Sequence, residues 1–372
     1  MISKIAVLGA GVMGSEIAFV AAGAGVDVAL LDSDPEALEK GLAHARSIAE
    51  RRVERGKLDA GEAATLVERI VPTTDDADLA DCGLGIEVVP ERMDIKRVVM
   101  ARLDAALPPE ALIASNTSGL SISEMAAETG RPDQVLGLHF FNPASVMKLV
   151  EVIQGEGTSE ATMAAGEAFA EAVGKAPVRV RECPGFLVNR ILCRAMAEAY
   201  RHAAEIGADP AAADRAVVDG GPAPMGPFAL GDLIGLDTMA HLRKDLDEAY
   251  GERFGDGGQI DAQVAGGRLG LKSGGGFFDG KPPESEADAA GREVAERYYL
   301  GALNEAYRCL DEDVAASGDV DVAMRFGCGW QVGPLAWAES EGMTGLVERM
   351  AALSATASRL APPPGLAAAS AG

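Results

Sequence analysis

Lys4 to Asp32 reads KIAVLGAGVMGSEIAFVAAGAGVDVALLD, and this order of short patterns decides the fold. Lys4 to Leu8 is a buried-strand pattern that meets Gly9-Ala10-Gly11-Val12-Met13-Gly14 and then a helical run through Ala24. In that setting the glycines have distinct uses. Gly9 permits a tight turn, Gly11 lets a pyrophosphate approach the backbone, and Gly14 lets helix and strand pack closely. A second strand, Val26 to Leu31, ends at Asp32, the acid expected to bind a ribose 2′-hydroxyl. Glycines alone would be a weak signal. Strand, glycines, helix, strand and terminal acid in register point to a dinucleotide site in a doubly wound α/β domain. Asp32, Ser33 and Asp34, with no arginine beside them, would repel a 2′-phosphate, so NAD is expected rather than NADP.

Further along, Leu112 to Ile153 holds a histidine where a plain core strand would not want one. Val135 to Phe141 is strand-like with His139 near its end, and Asn142-Pro143 then breaks the ladder. His139 is therefore expected at a strand terminus, where open α/β sheets bind ligands. In KLVEVI, Leu149, Glu151 and Ile153 share one face, which puts a carboxylate among apolar neighbours and in need of a partner. His139 is the candidate, because a carboxylate on one ring nitrogen fixes the tautomer for proton transfer at the other. The same two residues also suit a satisfied core histidine beside an edge-strand glutamate.

Composition narrows the classes of function. The 372 residues, 48% hydrophobic, suffice for two or three domains. A formal net charge of −24 disfavours nucleic acid and anionic membrane surfaces as partners. The five cysteines, Cys82, Cys183, Cys193, Cys309 and Cys328, show no metal-ligand spacing and read as reduced thiols. No metal is expected. With no leader-like start and no run long enough to span a bilayer, the expected location is the cytoplasm.

Between these landmarks, Pro35 to Leu58 is expected as a helix ending in the basic cluster Arg51, Arg52, Arg55 and Lys57. That cluster would suit substrate phosphates, or equally a solvated face interleaved with Glu50 and Glu54. A strand-like run from Asp81 to Val89 is followed by a helix expected to begin at Pro90 and carry Glu91 and Lys96. Ser121 or Ser123 before Glu124 resembles a helix cap, and Ser118 is placed either in that cap region or facing a ligand. Gly157 to Gly174 reads as an amphipathic helix and Pro177 to Arg181 as the last strand of the first domain.

From Cys183-Pro184-Gly185-Phe186 onward the pattern changes to long helices, and it repeats. With a gapless shift of 107 residues Arg190 falls on Arg297, Glu198 to Arg201 on Glu305 to Arg308, Asp214 on Asp321, and Gly226-Pro227 on Gly333-Pro334. That marks a duplicated helical unit. The second copy has Glu296 where the first has Asn189, and Gln331 to Leu335 where the first has Pro224 to Phe228. The expected domains are 1–183, 184–283 and 290–358, with a disordered tail at 359–372.

Taken together, GAGVMG at Gly9 to Gly14, SNTS at Ser115 to Ser118, GLHFFNP at Gly137 to Pro143, KLVEV at Lys148 to Val152, PGFLVNR at Pro184 to Arg190, PMGPF at Pro224 to Phe228 and KSGGGFF at Lys272 to Phe278 resemble the L-3-hydroxyacyl-CoA dehydrogenases. The duplicated helical region is similar to the dehydrogenase portion of bacterial multifunctional β-oxidation proteins, without their hydratase domain. The resemblance implies a Rossmann-type N-terminal domain followed by an all-α C-terminal region. It also implies NAD-dependent, reversible oxidation of an L-3-hydroxyacyl-CoA, as in fatty-acid β-oxidation or 3-hydroxybutyryl-CoA metabolism. By the same resemblance His139 is the base, Glu151 its partner, and Ser118 and Asn189 bond the reacting part of the substrate. Glu91, Lys96, Asn142 and Lys272 would lie along the cofactor with Asp32 and Gly9, Gly11, Val12, Met13 and Gly14. Coenzyme A contacts would fall near Ala45, Arg52, Arg55 and Ser118. Single-copy relatives resemble homodimers, so a fused second copy implies an internal pseudo-dimer and a chain that is monomeric at that surface. A dehydrogenase of a small hydroxy acid or sugar acid, or an NAD-binding module without activity, would be the alternatives.

Overall fold

The computed structural model describes residues 2–370 and divides into two units, Met1–Glu182 and Cys183–Gly372. In the first unit β1 (Lys4–Leu8), α1 (Val12–Gly23), β2 (Asp27–Leu31) and α2 (Pro35–Glu54) follow the pattern expected from sequence. Next come α3 (Ala60–Glu68), β3 (Ile70–Thr73), β4 (Leu84–Glu87), α4 (Met93–Ala106), β5 (Leu112–Ser115), α5 (Ile122–Ala126), β6 (Val135–Phe140), β7 (Leu149–Gln154), α6 (Glu160–Ala172) and β8 (Ala176–Arg181). The sheet runs β3-β2-β1-β4-β5-β6-β7-β8. Its pairs are parallel except β6 with β7, which run antiparallel. The central strands are buried throughout, as strands covered on both faces are, and each carries one polar residue near its end, Glu87, Ser115 and His139.

Two details correct the expectations for this unit. The helix placed at Pro90 starts at Met93, so Glu91 stands in the loop before it rather than on the helix. Residues 59 to 73, given no structure from sequence, form α3 and the edge strand β3. Asp59 and Glu62 close a capping box at the start of α3, a signal present in the sequence. The cap before α5 is Ser121, whose hydroxyl accepts from the Glu124 N–H.

The second unit is helical. The first copy contains α7 (Val188–Ile206), α8 (Pro210–Gly220), α9 (Pro227–Ile234), α10 (Leu236–Tyr250) and α11 (Gln259–Ala265). The second contains α12 (Ala289–Asp311), α13 (Ser317–Cys328), α14 (Pro334–Glu341) and α15 (Met343–Ser354), followed by α16 (Pro364–Ala369). The two copies repeat each other in detail. Asp214 accepts the N–H groups of Phe228 and Ala229 at the start of α9. Asp321 accepts those of Leu335 and Ala336 at the start of α14. In both places a glycine is required by space, because a Cβ on Gly226 or Gly333 would lie within 2.3 Å of its aspartate.

Helix α12 packs along α7 and α8, and the contact is reciprocal. Arg190 on α7 pairs with Glu305 on α12 at 2.6 Å, and Arg297 on α12 pairs with Glu198 on α7 at 3.2 Å. The shift of 107 residues exchanges these two pairs, which is the signature of a two-fold interface. Arg253 joins Glu305 at 3.1 Å, and Arg359 joins Glu198 at 2.8 Å. Glu198 and Glu305 are fully buried. The position matching Asn189 is Glu296, which is salt-bridged to Arg349.

The expected disordered tail is also corrected. Arg359 is tied to Glu198, Asn304 donates to the Ala361 carbonyl, and Leu360 and Leu366 are buried. The proline and alanine content hid two apolar anchors, and Pro364 opens α16. Removing the carboxylate of Glu305 would leave two guanidinium groups without their buried partner. Glu305→Ala is therefore expected to cost about 3–5 kcal/mol of stability, measured by urea unfolding, and a loss under about 1 kcal/mol would show that the pair does not hold the copies together.

Candidate functional site

At the end of β1 the chain turns at Gly9, whose φ of +112° favours glycine, and enters α1. A Cβ on Gly14 would sit 1.8 Å from the Gly9 carbonyl oxygen, so this helix can approach its strand only with glycine there. Gly11 differs, since a Cβ on it would meet nothing within 4 Å. It is the N-cap of α1 and has no side chain to cap the first helical N–H groups, which leaves them for a ligand such as a phosphate. Val12 is exposed and Met13 half-buried beside it. Asp32, at the tip of β2, accepts from the Ala10 N–H at 2.9 Å and from the Asp34 N–H at 3.0 Å, which fixes its carboxylate beside the glycine turn. These features fit a dinucleotide.

On the other side of β1 the sheet carries the second cluster. His139 and Glu151 stand opposite each other in the antiparallel β6–β7 ladder. His139 Nδ1 lies 2.7 Å from Glu151 Oε2, with Glu151 fully buried and His139 5% exposed. Phe141 packs against the imidazole with ring centroids 4.4 Å apart. The loop after β5 reaches this place through Asn116, whose side-chain oxygen accepts from the Phe140 N–H at 2.8 Å. Ser118 in that loop is exposed, and its N–H donates to Glu91 Oε1 at 2.9 Å.

The turn from β6 to β7 holds Asn142, which is exposed, and it is clamped from three sides. Arg52 on α2 donates to the Ser145 carbonyl at 2.6 Å while its guanidinium lies over the Phe19 ring. Glu16 on α1 accepts from the Ser145 N–H at 2.7 Å. Lys175 donates to the Ala144 and Met147 carbonyls, and burial pushes its ammonium down to about 8, with Arg52 adding to the fall and Glu16 opposing it. Arg52, expected near substrate phosphates, is thus engaged within the fold. Arg55 is exposed just past α2, and Ala45 is buried in the core.

Lys96 is 1% exposed, with its ammonium against Glu87 and Glu91, so it lies inside the domain rather than on a surface. In the helical unit Asn189 is half-buried on the first turn of α7, and Lys272 is exposed and paired with Asp237 at 2.5 Å.

Family models match almost the whole chain. The 3-hydroxyacyl-CoA dehydrogenase NAD binding domain matches residues 4–183, and the C-terminal domain of the same family matches residues 185–280 and again 294–367. The chain belongs to the 3-hydroxyacyl-CoA dehydrogenase family. Among solved structures, a 3-hydroxybutyryl-CoA dehydrogenase from Escherichia coli K12 is 30% identical with a TM-score of 0.93, covering 100% of this chain and 98% of that one. An (S)-3-hydroxybutyryl-CoA dehydrogenase from Ralstonia eutropha is 38% identical with a TM-score of 0.73, covering 76% of this chain and 100% of that one. The fatty acid oxidation complex subunit alpha of Colwellia psychrerythraea is 34% identical over 353 residues, 88% of this chain and 49% of that protein. The chain spans about half the length of the curated relatives it matches.

For this 3-hydroxyacyl-CoA dehydrogenase family member the cofactor is NAD, and Asp32 with its acidic neighbours accords with that. Sequence reasoning missed Glu87, Glu16, Thr117 and Lys175. Glu87 carried a legible signal, a glutamate inside the apolar run LGIEVV, of the same kind that singled out Glu151. Among the described residues no helix is long and apolar enough to cross a membrane, and no cluster of potential metal ligands occurs.

The two glycines should separate when mutated. Gly14→Ala is expected to lose about 1–3 kcal/mol of stability through overpacking. Gly11→Ala should leave the melting temperature unchanged and weaken NADH binding by roughly tenfold or more, about 1.4 kcal/mol. Calorimetry and NADH titration read the two effects, and a Gly11→Ala protein that binds NADH normally would mean that no phosphate approaches this turn.

Proposed function

We propose that this chain catalyses NAD-dependent, reversible oxidation of an L-3-hydroxyacyl-CoA to the 3-ketoacyl-CoA. The observation that carries the reading is the buried Glu151 carboxylate 2.7 Å from His139 Nδ1, in a family whose members include 3-hydroxybutyryl-CoA dehydrogenases. Asp32 and the Gly9 to Gly14 turn would hold the NAD, which accepts hydride from C3 when bound.

With Nδ1 held by Glu151, Nε2 is the ring nitrogen that takes the C3 hydroxyl proton in oxidation and returns it in reduction. Glu151 stabilises the imidazolium so formed, and its burial keeps that attraction from being screened. Ser118 and Asn189 are assigned to hydrogen bonds with the reacting end of the substrate, which orient C3 and steady charge on its oxygen. Glu91, Asn142 and Lys272 are assigned to the cofactor, and the exposed Arg55 to coenzyme A phosphates.

We further propose that the second helical copy takes the place of a partner subunit, so that the chain needs none at the α7–α12 surface. The reciprocal Arg190–Glu305 and Arg297–Glu198 pairs support this. The five cysteines form no disulfide with one another, in keeping with a reducing cytoplasm.

Oxidation of NADH on adding acetoacetyl-CoA tests the substrate class, and free acetoacetate or other small keto acids should give little turnover. Preference for the free acids would move the substrate to a small hydroxy acid. Glu151→Gln should lower kcat by roughly 10²- to 10⁴-fold with NADH binding retained, and a wild-type kcat in that variant would remove the dyad from the mechanism.

A further inference from the structure

Two segments assigned to the cofactor stand apart in the sheet, the Gly9 to Gly14 turn after β1 and Asn142 in the turn after β6. Strands β4 and β5 lie between β1 and β6, so at about 4.8 Å per strand step the two segments are roughly 14 Å apart. A dinucleotide that touches both is held well only if that spacing is fixed. The ladder does not fix it alone, because β6 ends at Phe140 and β7 begins at Leu149, with Asn142 in the turn between them. Side chains from outside the ladder have to set the place of that turn.

Glu16 reaches it from α1. It rides on the helix whose N-terminus borders the glycine turn, and it is 5% exposed. Its Oε2 accepts the Ser145 N–H at 2.7 Å, and its Oε1 lies 3.5 Å from His44 Nε2 on α2, so both oxygens are engaged. Lys175, between α6 and β8, donates to the Ala144 and Met147 carbonyls on either side of Ser145. The two charges support each other, since the Glu16 carboxylate favours the ammonium form of Lys175 against burial and the neighbouring Arg52. Within the turn the Pro143 carbonyl accepts the Val146 and Met147 N–H groups, both at 2.9 Å. A shift at Ser145 is therefore passed to Pro143 and to Asn142 beside it.

Buried charges of this kind seldom add stability over apolar residues of the same volume, because they lose their water. Their effect is then on geometry. We propose that Glu16 and Lys175 are positioning residues for NAD, which tie α1 to the Asn142 turn and so hold the two cofactor segments at the spacing the dinucleotide needs. This rests on the assignment of Asn142 to the cofactor. It also gives a use to two buried charges that the proton transfer at His139 leaves unexplained.

Fluorescence titration with NADH on the full chain tests it, beside kcat and KM for acetoacetyl-CoA at saturating NADH. Glu16→Ala should raise the NADH Kd by roughly three- to tenfold, the scale of one hydrogen bond to the ligand, with kcat within about twofold of wild type. Glu16→Gln keeps an acceptor for the Ser145 N–H and should bind NADH within about twofold of wild type. In an Asn142→Ala background, Glu16→Ala should change the Kd by less than about twofold, since coupled residues are not additive. Lys175→Met should behave as Glu16→Ala does in both backgrounds, and it carries the same test if Glu16→Ala does not fold. The positioning role falls, and the proposed function stands, if the effects multiply with Asn142→Ala or if Glu16→Gln is as impaired as Glu16→Ala. It falls in the same way if the acetoacetyl-CoA KM rises while the NADH Kd does not. If Asn142→Ala binds NADH like wild type, the assignment of Asn142 and this inference fall together. The titration needs no turnover, so its result is read apart from the test of substrate class.

Discussion

The hydrogen bond between His139 Nδ1 and the buried Glu151 carboxylate sets the terms for the N-terminal unit. The two residues face each other across the one antiparallel pair in the sheet order, and a slip of one residue would send both side chains to the opposite face. Glu151 has no exposure to water, so its buried charge calls for a close partner such as the imidazole. The surrounding contacts keep it there. Arg52, Glu16 and Lys175 fasten the backbone of the turn that joins the two strands, and Asn116 ties the neighbouring loop to the residue after His139. Arg52, which its sequence setting sends to substrate phosphates, is occupied in holding the turn.

The helical unit uses the same chemistry for another purpose. Its ion pairs cross between two copies of one motif, each copy's arginine meeting the other's glutamate. What the second copy kept is structural, the Asp321 cap on Gly333-Pro334 and the α12 face. What it changed is the position of Asn189, now Glu296 in a salt bridge with Arg349. One copy retains a residue assigned to substrate, and the other retains the helix face that packs against the first copy.

How far the molecule could be read from its sequence depended on whether a signal was local. The glycine turn, Asp32 and the face shared by Leu149, Glu151 and Ile153 are spacing patterns within a few residues, and each was legible. The pairing of His139 with Glu151 needed only adjacent strands. Lys96 was different, because its partners Glu87 and Glu91 lie in a strand and a loop that no periodicity connects with it. Residues 59 to 73 were passed over although Asp59 and Glu62 spelled a capping box, since β3 is short and half exposed. The tail was misread because proline and alanine outnumber Leu360 and Leu366, which burial alone reveals as anchors.

The central claim is that His139 moves the proton while the glycine turn holds the cofactor, and a single variant separates the two. In His139→Gln the turnover of acetoacetyl-CoA with NADH should fall by roughly 10²- to 10⁴-fold, the scale of general acid–base catalysis, while NADH titration returns the wild-type Kd. Turnover within about twofold of wild type would contradict the account, since by the logic of mutant kinetics His139 would then contribute nothing in the transition state.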